Sequence, residues 1–268
     1  MKPAVTAQTK AIDRDLLAAC RRQLGRNFVS LVAYGSRAGG DDLPDSDYDG
    51  FCYVRDAVGV RLNLSGVERR HGVRIGICLR PLWKFMSCVA SPEAFARCPN
   101  RHTLAALKMG RGRTVGGRDL LRLLPPVSQL LPADWRREAQ FDYWLAVLDV
   151  PSNVPRREPR RHVGFIIAIC DALLRAKGVA VKKRDLPAAL KQHHPGFRVV
   201  GFLRRALRRR AVWSVIENDK REVKKAGQDM ESFLEALRRY VFRNDGSDLT
   251  PDEALKWRIE MMQSAKNK

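Results

Sequence analysis

Leu31-Val32-Ala33-Tyr34-Gly35-Ser36, ten further residues, and then Asp47-Tyr48-Asp49-Gly50-Phe51-Cys52-Tyr53-Val54 is the stretch on which the fold turns. The first six residues read as a buried strand running into a Gly-Ser corner, and the last eight as a second strand that opens with two carboxylates. Side chains alternate along a strand, so Asp47 and Asp49 share one face, with room between them for a divalent ion. Gly35 lets a bulky anion approach the backbone. Ser36 offers a hydroxyl and an amide at what reads as a helix start, where a phosphate is well held. A phosphate grip and a pair of hard oxygen ligands are therefore expected side by side.

With a Gly-Ser pair and an Asp-x-Asp pair at this distance, each at the correct end of an apolar strand, the chain resembles the polymerase-beta-like nucleotidyltransferases over roughly residues 12 to 90. It is most similar to the minimal and the antibiotic nucleotidyltransferases. The resemblance implies an α+β fold: a small mixed β-sheet core with flanking helices, followed by an all-α helical bundle that completes the acceptor site and can contribute to a homodimer. It implies an enzyme that uses Mg²⁺ to move a nucleoside monophosphate, AMP from ATP or the equivalent from another nucleoside triphosphate, onto a hydroxyl. Gly35 and Ser36 would grip the triphosphate, Arg37 would reach a phosphate, and Asp47 and Asp49 would bind the metal and serve catalysis.

One departure stands out. In that family the next strand supplies a third aspartate, which binds metal and takes the acceptor's proton. Here the run Val73-Arg74-Ile75-Gly76-Ile77-Cys78-Leu79 alternates cleanly, and the candidate positions hold Arg74, Gly76 and Cys78. The base would then come from elsewhere: Asp171, an acid inside an otherwise apolar helical run that should have a partner or face a cleft, or Glu68 or Asp142. Arg74 is a candidate for the triphosphate. The alternative function is a catalytically degenerate protein that keeps the nucleotide pocket and acts as a nucleotide- or RNA-binding regulator. Asp41, Asp42 and Asp45, between the two motifs, read as solvated loop acids.

The 268 residues suffice for two modest domains, and we place them at 1–125 and 126–268. Lys and Arg number 50 against 29 Asp and Glu, a net +21, which favours a polyanionic partner such as RNA. Small molecule, RNA and protein all stay open as the acceptor. No apolar run is long enough to span a membrane and the first residues do not read as a secretion signal, so a cytoplasmic location is expected. The six cysteines contain no C-x-x-C pair and read as buried small residues rather than as zinc ligands or disulfide partners.

Outward from the motif, Ile12, Leu16, Cys20 and Leu24 form one helical stripe ended by Gly25. Val58 to Leu64 reads as a weak edge strand, and Gly110 to Gly117 as a linker or a short strand. Helices are expected over 133–150, 160–177, 185–193, 197–212 and 215–243, with a capped one opening at Thr250. Arg204, Arg205, Arg208 and Arg209 would give a basic helix face suited to a phosphate backbone. The pair His193-His194 reads as a helix end before Pro195.

Overall fold

The computed structural model describes residues 5–42, 46–96, 98, 101–132, 134–149 and 159–266. The chain divides into two compact units, residues 1–130 and 131–267.

In the first unit, helix α1 (Ala7–Leu24) is capped by Thr6, whose hydroxyl accepts from Thr9 N at 3.2 Å. This cap sets the start of the helix ahead of its apolar stripe. Ile12, Leu16, Cys20 and Leu24 are all buried, as their spacing requires. Strand β1 (Phe28–Tyr34) follows, then the short helix α2 (Ser36–Gly39) and strand β2 (Tyr48–Val54). Helix α3 (Ser65–His71) crosses to strand β3 (Ile75–Pro81), after which come α4 (Leu82–Cys88), α5 (Pro92–Ala96), α6 (Arg101–Ala106), strand β4 (Gly112–Gly117) and α7 (Val127–Leu130).

The strands lie in the order β3-β2-β1-β4. β1 pairs antiparallel with β2 and β4, and β2 pairs parallel with β3, so the sheet is mixed. One face, with Leu31, Ala33, Tyr48, Cys52 and Val54, packs on α1 and α3 residues including Leu16 and Val67. Val32, Phe51 and Tyr53 on the other face pack on Phe85, Phe95, Leu104 and Leu107. The residues of β2 thus sort by parity, and Asp49 belongs to the second face.

Two expectations change, and of the two readings of Gly110 to Gly117 the strand is the one found. Val58 to Leu64 is irregular, because the chain turns at Val58–Gly59 and leaves Val58 exposed. Gly112–Gly117 is a strand of the sheet. Cys88 and Cys98 form a disulfide with Cα atoms 5.3 Å apart, and Cys78 is exposed, so the cysteines are not uniformly free and buried.

The second unit is helical: α8 (Trp135–Asp149), α9 (Pro159–Ala176), α10 (Leu186–His193), α11 (Val200–Ala211), α12 (Trp213–Ile216), α13 (Lys220–Val241) and α14 (Pro251–Lys266). Its main core joins Ile166, Cys170, Leu173 and Leu174 of α9 to Leu203 and Ala206 of α11 and to Met230, Phe233 and Leu237 of α13. The architecture is α+β, a small mixed sheet with flanking helices followed by a helical bundle.

Candidate active site

The corner after β1 is built by backbone and by buried ion pairs. Gly35 has φ +78° and ψ −148°, a conformation open to glycine, and its N–H donates to Arg111 O at 3.1 Å. Ser36 opens α2, half-buried. Arg37, expected to reach a phosphate, instead turns inward and is 1% exposed. Its Nε donates to Ser46 O at 2.9 Å, and its Nη1 to Thr9 Oγ1 at 3.1 Å, Gln8 Oε1 at 3.3 Å and Asp42 Oδ2 at 3.3 Å. Arg37 thus braces the two ends of the excursion against the start of α1. Asp42 also accepts from the hydroxyls of Thr6 and Thr9, while Asp41 pairs with Arg111. Both were expected to be solvated, yet their side chains are only 6% and 3% exposed for Asp41 and Asp42. Asp45 lies outside the described residues.

Asp47 is exposed and Asp49 half-buried, at the head of β2. Burial raises the Asp49 carboxyl above its ordinary value, the neighbouring Asp47 charge raises it further, and Arg74 pulls it down. Tyr48, between them, points through the opposite face. Its hydroxyl donates to Asp13 Oδ1 on α1 at 2.5 Å, and Arg113 of β4 grips the same carboxylate from 2.8 Å and 3.0 Å. Burial and the Asp13 charge push the Tyr48 phenol well up, so it stays a donor. Nothing in the sequence spacing pointed to this network. It fixes Tyr48 on one face and thereby Asp49, the next residue of β2, on the other.

The strand register sets what surrounds Asp49. Tyr34 lies opposite it on β1 and Gly76 level with it on β3. A Cβ built at Gly35 would stand 3.5 Å from Asp49 Oδ2, and one at Gly76 would stand 3.0 Å from Oδ1. The carboxylate therefore lies directly beside the Gly-Ser corner on one side and over the bare Gly76 rung on the other. Tyr34 stacks on Phe51 with centroids 4.8 Å apart, and its phenol is pushed up to about 12 by burial and by Asp49. Among the described residues no group of three or more His, Cys, Asp or Glu gathers at metal-binding distance. The hard oxygens of Asp47 and Asp49, crowded enough to repel each other, suit Mg²⁺, which takes few protein ligands and completes its shell with phosphate oxygens and water.

The other expected bases are employed elsewhere. Glu68 Oε1 accepts from Ile75 N at 2.9 Å and steadies the entry to β3. Asp171 belongs to the second unit and pairs with Arg175 one helical turn on, at 3.3 Å. Asp142 is a half-buried residue of α8. Of the expected basic face, Arg205 and Arg209 are drawn onto α13 by Asp229 and Glu222, leaving Arg204 and Arg208 exposed. His194 ends α10 as expected, but it is fully buried between Trp135 and Tyr240.

A strand ending in a Gly-Ser corner, its neighbour opening with paired aspartates, and a helical unit downstream make up an α+β architecture in which a small mixed sheet carries the corner and a helical domain follows it. Among solved structures the chain is similar to spectinomycin adenyltransferase AAD(9) from Enterococcus faecialis, solved with ATP and spectinomycin. The TM-score is 0.54 at 16% identity, over 85% of this chain and 98% of that one. At that identity the likeness concerns the fold. No protein-family model and no curated protein matches the sequence.

Proposed function

We propose that this chain is a nucleotidyltransferase that uses Mg²⁺ to move a nucleoside monophosphate, AMP from ATP, onto a hydroxyl acceptor. The observation that carries the reading is the placement of the Asp49 carboxylate against the Gly35–Ser36 corner, 3.5 Å from where a Gly35 side chain would begin. A triphosphate held by the corner's backbone and by the Ser36 hydroxyl has the two carboxylates beside its α-phosphorus. The structural neighbour, solved with ATP, supports the choice of nucleotide. Bound Mg²⁺ would neutralise charge on the phosphates and on departing pyrophosphate.

Asp47 and Asp49 would hold that cation, and the Tyr48–Asp13–Arg113 network steadies the strand that presents Asp49. The acceptor oxygen forms a bond to the α-phosphorus as the bond to pyrophosphate breaks. With Gly76 exposed on the third rung, the acceptor's proton leaves to solvent water rather than to a carboxylate of β3. Arg37 is a brace of the loop and not a phosphate ligand.

The test is nucleotide binding with and without Mg²⁺, on the native chain and on Asp47→Ala/Asp49→Ala, followed by pyrophosphate release with an acceptor panel. Mg²⁺-dependent binding lost in the double variant supports the reading, and its absence from the native chain sinks it. The bare Gly76 rung favours one second reading, a binding protein that has lost efficient transfer. Tight binding without turnover on any acceptor would decide for that reading.

A further inference from the structure

β3 is the outer strand beside β2, and its site-facing row reads Arg74, Gly76, Cys78, Arg80. Gly76 is level with Asp49, Cys78 with Phe51 and Arg80 with Tyr53. The two middle positions are small and exposed, so they floor a shallow trough with a guanidinium at each end. Of the two cations, Arg80 leans toward its middle. Arg74 acts on the Asp49 carboxyl from one end, while the Arg80 guanidinium lies over the Phe51 ring, 5.6 Å from its centroid, one rung back from its own.

Neither Arg74 nor Arg80 makes an ion pair with a described residue; Arg74 is exposed, with the Asp49 charge nearby, and Arg80 is half-buried with no carboxylate against it. Arg37, Arg111 and Arg113 of the same unit are each held by an aspartate. A partly desolvated guanidinium without a carboxylate is suited to a planar or tetrahedral oxyanion, which it can bind through two parallel hydrogen bonds. β2 lies between the Gly35–Ser36 corner at the end of β1 and the β3 trough. In-line transfer puts leaving group and acceptor on opposite sides of the phosphorus. With the triphosphate at the corner, the trough is left for the acceptor.

Building on the nucleotidyltransferase reading, we infer that the acceptor is an anion: a hydroxyl compound carrying a phosphate or a carboxylate, held by Arg74 and Arg80 above Gly76 and Cys78. Its hydroxyl oxygen bonds to the α-phosphorus, the bond to pyrophosphate breaks, and the hydroxyl proton leaves to solvent at the open Gly76 rung. A polycationic acceptor meets two like charges there and is disfavoured.

Cys78 gives a readout independent of turnover, because it is the exposed one of the four described free cysteines and sits between the two arginines. In the full chain with Mg²⁺ and non-transferable α,β-methylene-ATP, ribose 5-phosphate or gluconate should slow alkylation of Cys78 by iodoacetamide at least fivefold. The two probes separate a phosphate from a carboxylate acceptor. Spectinomycin should give no protection. Arg74→Gln/Arg80→Gln should abolish the protection while α,β-methylene-ATP binds within twofold of the native affinity and circular dichroism is unchanged.

Protection by spectinomycin alone, or by none of the three, overturns the inference. So does a double variant that loses nucleotide affinity and keeps the protection, since the triphosphate would then be the anion that the arginines bind. A native chain that fails to bind α,β-methylene-ATP is a separate result: it removes the nucleotidyltransferase reading, and the inference with it.

Discussion

Asp49 lies between two glycines, and a methyl group added at either is felt first at its carboxylate. Gly76→Ala would put a carbon 3.0 Å from Oδ1, close enough that the carboxyl must shift off its present position between the two glycines. Mg²⁺-dependent nucleotide affinity should fall several-fold, while stability in urea changes by less than about 1 kcal/mol because the rung is open to water. Gly35→Ala acts differently. Its φ of +78° and ψ of −148° fall where an alanine is strained, so on the order of 1–3 kcal/mol of stability should go together with nucleotide binding.

His194 offers a pH test far from this chemistry. Its Nε2–H donates to Leu173 O at 3.2 Å, and its Nδ1 accepts from the Tyr240 hydroxyl at 3.0 Å, so both nitrogens are satisfied in the neutral ring. Burial first, and then the Lys177 charge, lower its pKa from 6.5 to about 4. The unfolded chain binds the proton more tightly, so this contribution is complete above 6.5 and is lost as pH falls toward 4. Urea unfolding at pH 5 should show a loss on the order of 2 kcal/mol relative to pH 7.5, and His194→Gln should flatten that slope.

Among the elements, α11 and α13 are joined by charge as well as by core. Asp229 receives Arg205 at 2.7 Å and also Arg209, which is only 8% exposed. Asp229→Ala removes the acid that both guanidinia share and leaves the buried Arg209 with Glu222 alone, which should cost about 1–3 kcal/mol in guanidinium chloride unfolding. The same pairing explains why the arginine-rich run gives only half of the basic face that its spacing offers. Sequence shows where Arg204, Arg205, Arg208 and Arg209 fall on one helix, but not which acids a second helix brings opposite them.

Legibility differs element by element for similar reasons. α1 and β3 were readable because each turns apolar residues to one face at its own period, Ile12-Leu16-Cys20 every four residues and Ile75-Ile77-Leu79 every two, and β1 and β2 because each is a short, largely apolar run covered on both faces. The run Val58 to Leu64 has strand-like residues but no partner strand, and it stays irregular. α3 went unread because its one buried residue, Val67, leaves no periodic signal among Glu68, Arg69 and Arg70. Gly35, Ser36, Asp47 and Asp49 could be found by residue type and spacing. Tyr48–Asp13 and the inward turn of Arg37 could not, since both depend on contacts between residues 28 to 35 positions apart.

For the molecule as a whole, each unit has its own apolar core, the first on the two faces of the sheet and the second around α9. If the nucleotide site is complete within residues 1–130, Mg²⁺ and ATP together should raise the calorimetric transition of that unit. At a hundredfold excess over the dissociation constant the shift corresponds to about 2.7 kcal/mol, with the second unit's transition unmoved. The helical runs of the second unit were legible from their periodicity, but its division from the first falls at 130 rather than at the proline cluster after 124. None of the described helices is long and apolar enough to cross a membrane.

The inward turn of Arg37 ties the site to the first residues of the described chain, because Thr6, Gln8 and Thr9 hold Arg37 and Asp42 in place. The Gly35–Ser36 corner therefore inherits the integrity of the first turn of α1. A protease cut, a late initiation codon or a fusion partner that displaces the first turn of α1 would leave the apolar stripe from Ile12 onward intact, and with it most of the fold. It would also leave Arg37 and Asp42 with fewer of their partners beneath the Gly35–Ser36 corner, so under the proposed function the damage would appear as lost nucleotide binding in a protein that still looks folded.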